Sequence, residues 1–279
     1  MGISSPNYRS RRRALPGFGL SLGFAIFYLS AIVLIPLLAL IIRPFTLGLD
    51  EFWAAISTPR VLASLRLSFG MGALAAAIDT VFGFIIAWVL VRYHFPGRRL
   101  LDALIDLPFA LPTAVAGIAL STLYAPNGWL GSMLIVYGIR IAYTPWGVLL
   151  AMVFIGLPFT VRTLQPVMSE QSADIEEAAA TLGANRIQTI FRVVVPMLLP
   201  AILTGAAMAF ARGVGEYGSI IFLAGNLPMI SEIAPLLIVT KLEQFDYAGA
   251  SAIGVVMLAA SFAMLLALNG LQVWSAKRR

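Results

Sequence analysis

The chain of 279 residues has no cysteine, one histidine and only two lysines. Without cysteine there is no disulfide framework, no thiolate metal site and no cysteine nucleophile. The lone His94, in YHFPGRR, has no partner ligands for a metal and reads as a solvated or interfacial loop residue. A phosphate-binding P-loop needs a lysine followed by Ser or Thr after a glycine-rich turn. Lys241 precedes Leu242 and Lys277 precedes Arg278, so this chain carries no ATPase site and no nucleotide or metal cofactor is expected on it. Charge is scarce as well, at 11% of residues, where soluble domains carry about a quarter. No nucleophile, base and metal ligands cluster, which excludes a membrane-embedded enzyme. A net charge of +6 raises nucleic acid as a partner, but the basic residues gather at the ends of apolar runs and do not alternate with aromatics. No nucleic-acid partner is expected.

What is present is apolar: 60% hydrophobic residues and a mean hydropathy of +0.91. The runs predict an all-α membrane protein with six transmembrane helices at Phe18–Ile42, Leu65–Val91, Ala103–Tyr124, Trp146–Val161, Met197–Leu223 and Tyr247–Val273. The fourth is short and is expected to extend at one end. The first run is too long for a signal-peptide core and lacks a small-residue cleavage site, so it is expected to remain as a helix. The organisation is a basic segment at 1–17, a six-helix unit at 18–273 with a polar loop at 165–196, and a basic tail at 274–279. Arginine and lysine set the orientation. Arg9, Arg11, Arg12, Arg13, Arg92, Arg98, Arg99, Arg162, Arg186, Arg192, Lys277, Arg278 and Arg279 fall on one side. Arg43, Arg60, Arg140 and Lys241 fall on the other. Both termini and the polar loop are therefore expected in the cytoplasm. Pro36, Pro108, Pro112, Pro158, Pro196 and Pro200 interrupt spans, either as pivots or as shapers of packing.

The polar loop, EQSADIEEAAATLGANRIQTIFRVVVP from Glu170 to Pro196, reads as a helical hairpin. Ile175, Ala178, Ala179 and Leu182 share one helix face, and Asp174, Glu176 and Glu177 load the first turn, where the helix dipole favours acids. Gly183 ends that helix in a left-handed cap. Asn185 and Gln188 predict a capping box for a second helix with Ile187, Ile190, Phe191 and Val194 on its apolar face. A small, alanine-lined face suits docking into another protein's groove. The alternative, a helix lying on the bilayer, would turn the acidic first turn towards anionic lipid.

Glu177-Ala178-Ala179, Gly183, Val193 and Pro196 match the EAA loop of ABC-importer permeases. Val193 and Val195 stand where isoleucine and leucine are usual. LPGFGLSLG at 15–23, RYHFPGRRLLDALIDLPFALPTAVAG at 92–117, GEYGSIIFLAGN at 215–226 and LEQFDYAGASAI at 242–253 extend the likeness along nearly the whole chain. The chain resembles the sulfate/thiosulfate importer permeases, specifically their CysT-type subunits. The resemblance implies a type I importer (MetI-like) fold in the bacterial inner membrane. It implies a second, CysW-type permease subunit, an ATPase dimer that binds ATP and Mg, and a periplasmic sulfate/thiosulfate-binding protein. Glu177, Ala178, Ala179, Gly183, Ile187 and Pro196 would then engage the ATPase. The related molybdate/tungstate permeases share the EAA loop and a GEFG-like element, and remain the alternative cargo class. From another class, an ion-coupled secondary transporter would use Asp79 or Glu216 as its coupling carboxylate.

Within the spans, Asp79 is expensive unless it faces protein or water, and an acid in the pathway would repel sulfate, so it reads as structural or protonated. Arg212 and Glu216 are one helical turn apart, as an internal ion pair or as a substrate contact. Thr113, Tyr217 and Ser219, with Gly213, Gly215 and Gly218, are candidate pathway residues, or simply sites of close helix packing.

Overall fold

The computed structural model describes residues 18–45, 48–172 and 174–277. The basic segment predicted at 1–17 and the last two residues of the predicted tail lie outside the described residues. All regular structure among the described residues is helical, and five helices are long and apolar enough to cross a membrane.

Helix α1 (Phe18–Pro44) has 27 residues, or about 40 Å at 1.5 Å per residue, ample for a hydrocarbon core of about 30 Å. After the short α2 (Leu49–Ile56) comes α3 (Pro59–Arg92). Its start is defined chemically: Thr58 accepts a hydrogen bond from the Val61 N–H, and Pro59 sits where a missing amide costs nothing.

The third predicted span, Ala103–Tyr124, is not one helix. It consists of α4 (Arg98–Ile105), α5 (Leu107–Ala110) and α6 (Thr113–Tyr124). Pro112 is the cause, because it lacks an N–H and forces Leu111 into an extended conformation, ψ 134°. With 12 residues, α6 covers only about 18 Å.

After α7 (Trp129–Val136), α8 (Pro145–Glu170) runs well past the expected end at Val161, with Pro158 and Pro166 inside it. The hairpin helix α9 (Asp174–Thr181) follows. The predicted boundary at Pro196 does not exist. Helix α10 (Arg186–Val214) is continuous through it, so the hairpin's second arm and the fifth span are one helix. A π turn at Ile190–Val194 makes this possible, and another at Ser30–Leu34 does the same in α1. Each lies just before a proline, Pro196 or Pro36, and contains the residue four positions earlier, Arg192 or Ile32, whose carbonyl the ring would otherwise strike. The fifth span also ends earlier than Leu223. It stops at Val214, breaks at 215–217 and resumes as α11 (Gly218–Ala224). The chain closes with α12 (Ala234–Glu243) and α13 (Tyr247–Lys277).

Helices α3, α8 and α10 form the central bundle. Lipid tails are as apolar as leucine, so membrane helices associate through close approach more than through burial of apolar area. Gly83 and Gly205 both lie against Thr160, where a Cβ on either would touch that residue at 2.7 and 3.1 Å. Near the hairpin the bundle is filled by Leu90, Val161, Leu164, Met168, Val194 and Leu198, and at the far end by Val148, Met152, Ile220, Leu223 and Leu236.

At the far end the connections are polar. Arg60 makes two hydrogen bonds to Glu232, at 2.7 and 2.6 Å, and the buried Ser68 hydroxyl accepts the Ala234 N–H at 2.8 Å, capping α12. Asp246 opens α13 by accepting the Gly249 N–H at 2.8 Å and the Lys241 ammonium at 2.8 Å. The lysine hydrogen bond, then the Gly249 amide, hold its carboxyl below the usual carboxylate range. A depressed folded-state value means that this stability is present above the unfolded carboxyl's range, near 4, and is lost as pH falls through the folded value. Asp246→Ala should therefore lower stability by about 1 kcal/mol at pH 7, mostly through the cap, since the ion pair is partly solvated. The wild-type advantage should shrink in thermal melts as pH drops below about 4.

Candidate functional site

The hairpin is capped at its turn and leaves most of its apolar side chains exposed. Gly183 adopts φ +84°, the left-handed conformation that closes α9. The predicted capping box is present: Asn185 Oδ1 accepts the Gln188 N–H at 2.8 Å, and Gln188 Oε1 accepts the Asn185 N–H at 3.0 Å. The apolar stripe of α9 faces outward, with Ile175 and Ala178 exposed and Leu182 at 88%. On the second arm Ile187 and Phe191 are exposed at 68% and 67%, whereas Val194 is buried. The single apolar face predicted for that arm is thus split: Ile187 and Phe191 point away from the bundle and Val194 packs into it. Glu177 and Pro196 are exposed and Ala179 is half-buried.

Next to the hairpin, Arg92 at the end of α3 donates from Nε to Glu176 Oε1 at 2.8 Å and from Nη2 to the Gln171 carbonyl at 3.2 Å. Its guanidinium lies 5.9 Å from the centre of the Trp88 ring. A cleft of about 400 Å³ separates α9 from α3 here, lined by Trp88, Arg92, Glu176, Ala180 and Arg186 among others.

A second polar cluster ties α8 to α4 and α5. Arg162 donates to both oxygens of Asp106 at 2.8 and 2.6 Å, to Asp102 Oδ1 at 2.7 Å and to Gln165 Oε1 at 2.6 Å. Burial pushes the Asp102 carboxyl up, but hydrogen bonds from Arg162 and Gln165, with the charges of Arg162 and Arg98, more than offset it and leave it low.

The break at 215–217 gathers most of the predicted pathway residues. Glu216 is buried; one carboxylate oxygen takes Arg212 Nη1 at 2.6 Å, and the other accepts both the N–H and the hydroxyl of Ser219 at 3.0 Å. Ser219 is fully buried, so its hydroxyl is committed to Glu216. Arg212 keeps about a third of its side chain exposed, and Tyr217 is 36% exposed beside it. Thr113, the first residue of α6, packs on Gly218 so closely that a Cβ there would overlap its hydroxyl. Gly117, one turn on, faces the Ser219 backbone. These contacts bring Thr113, Arg212, Glu216, Tyr217 and Ser219 around one seam, in which Glu216 and Ser219 are buried while Thr113, Arg212 and Tyr217 keep part of their surface open. Asp79 stands apart, fully buried against Gly156, with no hydrogen-bond partner for either carboxylate oxygen.

The pairs Arg60–Glu232, Arg92–Glu176 and Arg162–Asp102–Asp106 escape sequence reasoning because their partners are far apart in the chain. Asp102 and Asp106, one turn apart, are the only local hint. Among the described residues no group of three or more His, Asp or Glu is placed to hold a metal ion.

Residues 79–279 match the family model described as the binding-protein-dependent transport system inner membrane component. The chain is 50% identical over 250 residues to the sulfate transport system permease protein CysT of Synechococcus elongatus, covering 90% of each chain. It is 46% identical over 263 residues to the protein of that name from Escherichia coli, covering 94% and 95%. Among solved structures, a chain of a bacterial alginate ABC transporter superimposes with a TM-score of 0.73 at 17% identity, covering 91% of this chain and 92% of that one. A chain of the MetNI methionine ABC transporter in an inward-facing form gives 0.56 at 14% identity, covering 77% and 95%.

Proposed function

Because this chain belongs to the binding-protein-dependent transport system inner membrane component family, we propose that it forms half of the pore of an ATP-driven importer of sulfate and thiosulfate in the bacterial cytoplasmic membrane. The observation that carries the substrate is the identity, sustained over nine-tenths of the chain, to permeases named for sulfate. The exposed apolar stripe of the hairpin supports the way it is driven.

In this reading the termini and hairpin face the cytoplasm, where Glu177, Ala178, Ala179, Gly183 and Ile187 dock into one ATPase subunit, with Pro196 marking the entry of α10 into the bilayer. ATP and Mg are held by the ATPase dimer. A CysW-type second permease completes the pore, and a periplasmic binding protein delivers the anion. Closure of the ATPases displaces the hairpins and reorients the bundle from inward-open to outward-open; resetting releases the cargo inward. Arg212 and Tyr217 are the pathway contacts, while Glu216, Ser219 and Thr113 hold them in place. A pathway with one half-neutralised arginine suits transport, since an anion held by a strong cationic cage would not be released.

The test is uptake into proteoliposomes containing this chain, the second permease and the ATPase, with the binding protein outside and ATP within. Labelled sulfate should accumulate only with ATP, and thiosulfate should compete with it. Accumulation of molybdate in preference to sulfate would reverse the cargo, and uptake driven by an ion gradient without ATP would overturn the mechanism.

A further inference from the structure

Glu176 and Glu177 are neighbours in the sequence and both border the cleft that faces α3, but they differ in exposure and contact. Glu177 is exposed, while Glu176 is half-buried and accepts a hydrogen bond from Arg92. We infer that Arg92 and Glu176 are positioning residues that clamp the docking helix to α3, so that displacement of the hairpin is delivered to the second span as well as to α8 and α10. The inference rests on the docking role proposed above for the hairpin.

The chain itself ties the hairpin only to α8, through residues 171–173, and to α10. Nothing in that connectivity links it to α3. Among the described residues, the Arg92 guanidinium supplies the only ion pair between hairpin and spans. It holds two acceptors at once: the Glu176 carboxylate in the first turn of α9 and the carbonyl of Gln171, the C-cap residue that follows α8. Three helices therefore meet on one planar group, whose fixed fork holds both acceptors with less ordering than a flexible lysine ammonium would need. Each charge also sits at the favourable end of its helix, the cation in the last turn of α3 and the acid in the first turn of α9. Trp88 beneath the guanidinium limits its swing. Both side chains are largely shielded, 17% and 23% exposed, so the pair is screened less than an ordinary surface bridge.

The surroundings make the pair hard to replace. A cleft lies between α9 and α3 at this point, and the ion pair crosses it; the apolar contact between hairpin and α3 comes from the second arm, where Val194 packs with Ala87 and Leu90. An eight-residue helix such as α9 is too short to hold its form or its position unaided.

The experiment uses the complete reconstituted importer and measures sulfate transported per ATP hydrolysed. Glu176→Gln, which keeps the side chain's shape, and Arg92→Ala are each expected to lower that ratio by about fivefold or more while the ATPase stays bound. The charge exchange Arg92→Glu with Glu176→Arg is expected to recover at least half of the loss. Because the native chain has no cysteine, Leu182→Cys at the exposed hairpin tip gives a unique cross-linking handle to the ATPase in each background. A retained cross-link with an unchanged ratio in Glu176→Gln and Arg92→Ala overturns the clamp while leaving docking intact. An exchange variant no better than the worse single change also overturns it. Failure of Leu182→Cys to cross-link in the otherwise unaltered importer overturns the docking role, and the clamp with it.

Discussion

Glu216→Ala is expected to abolish sulfate uptake and to lower the melting temperature in detergent by about 6–12 °C, equivalent to about 3 kcal/mol for a chain of this size. The cost arises because Glu216 answers three donors from inside the bundle: Arg212 on the preceding helix and both the amide and the hydroxyl of Ser219 on the next. Without the carboxylate, a guanidinium and a buried Ser219 lose their partner together, and leaving buried groups unpaired costs more than the bond itself was worth. Glu216→Gln keeps an acceptor for Ser219 but removes the charge, so it should fall between wild type and alanine. Arg212→Ala leaves a buried carboxylate unpaired and should be comparably damaging to stability. Combining it with Glu216→Ala should restore part of that loss, since the two residues share one interaction. Uptake by the double variant then separates the two roles of the pair. Recovery of transport along with stability makes Arg212 a purely structural partner. Recovered stability without transport, or a raised apparent KM for sulfate, places its exposed N–H groups in the anion's path.

The hairpin was the most legible part of this chain, and the reason is local. Caps, first-turn acids and a left-handed glycine are written within a few residues of where they act, and Asn185, Gln188 and Gly183 do what their spacing predicts. Span boundaries were harder to read because hydropathy cannot tell a straight helix from a broken one. Apolar composition continues across Leu111–Pro112 and resumes on both sides of the short polar stretch at 215–217, yet in both places the backbone leaves the helix. Proline alone is an ambiguous sign. Pro112 breaks the third crossing, whereas Pro196 is absorbed by a π turn and α10 passes through it. At the candidate site, the Arg212–Glu216 pair was visible because its members are one turn apart on one segment. Arg92, Arg60 and Arg162 were read only as topology markers, because their carboxylates lie elsewhere in the chain and only folding brings them together.

The seam that carries the candidate site also gives the largest packing effect, at Gly117. A Cβ there would stand 2.6 Å from the Ser219 carbonyl oxygen and 2.7 Å from its Cα. Those atoms are backbone, so no rotamer change relieves the collision and α6 must move away from α11. Gly117→Ala is expected to cost about 1–3 kcal/mol or more, as overpacking does, and to reduce uptake severely by displacing Ser219 and with it the Glu216 carboxylate. Gly156 makes the informative contrast, since the atom its Cβ would overlap is a side-chain oxygen of Asp79. That carboxyl has no hydrogen-bond partner to lose. Gly156→Ala should therefore be destabilising alone and largely rescued by Asp79→Ala, whereas Ser219→Ala should give no rescue of Gly117→Ala. Gly70, with nothing within 4 Å of its would-be Cβ, is the control: Gly70→Ala should leave the isolated chain unchanged or up to about 1 kcal/mol more stable through helix propensity. Thermal unfolding of the single and double variants in detergent measures all three cases. Rescue of Gly117→Ala by a side-chain truncation would mean that α6 and α11 are held apart by side chains and not by their backbones, and that Glu216 is positioned by something other than this seam.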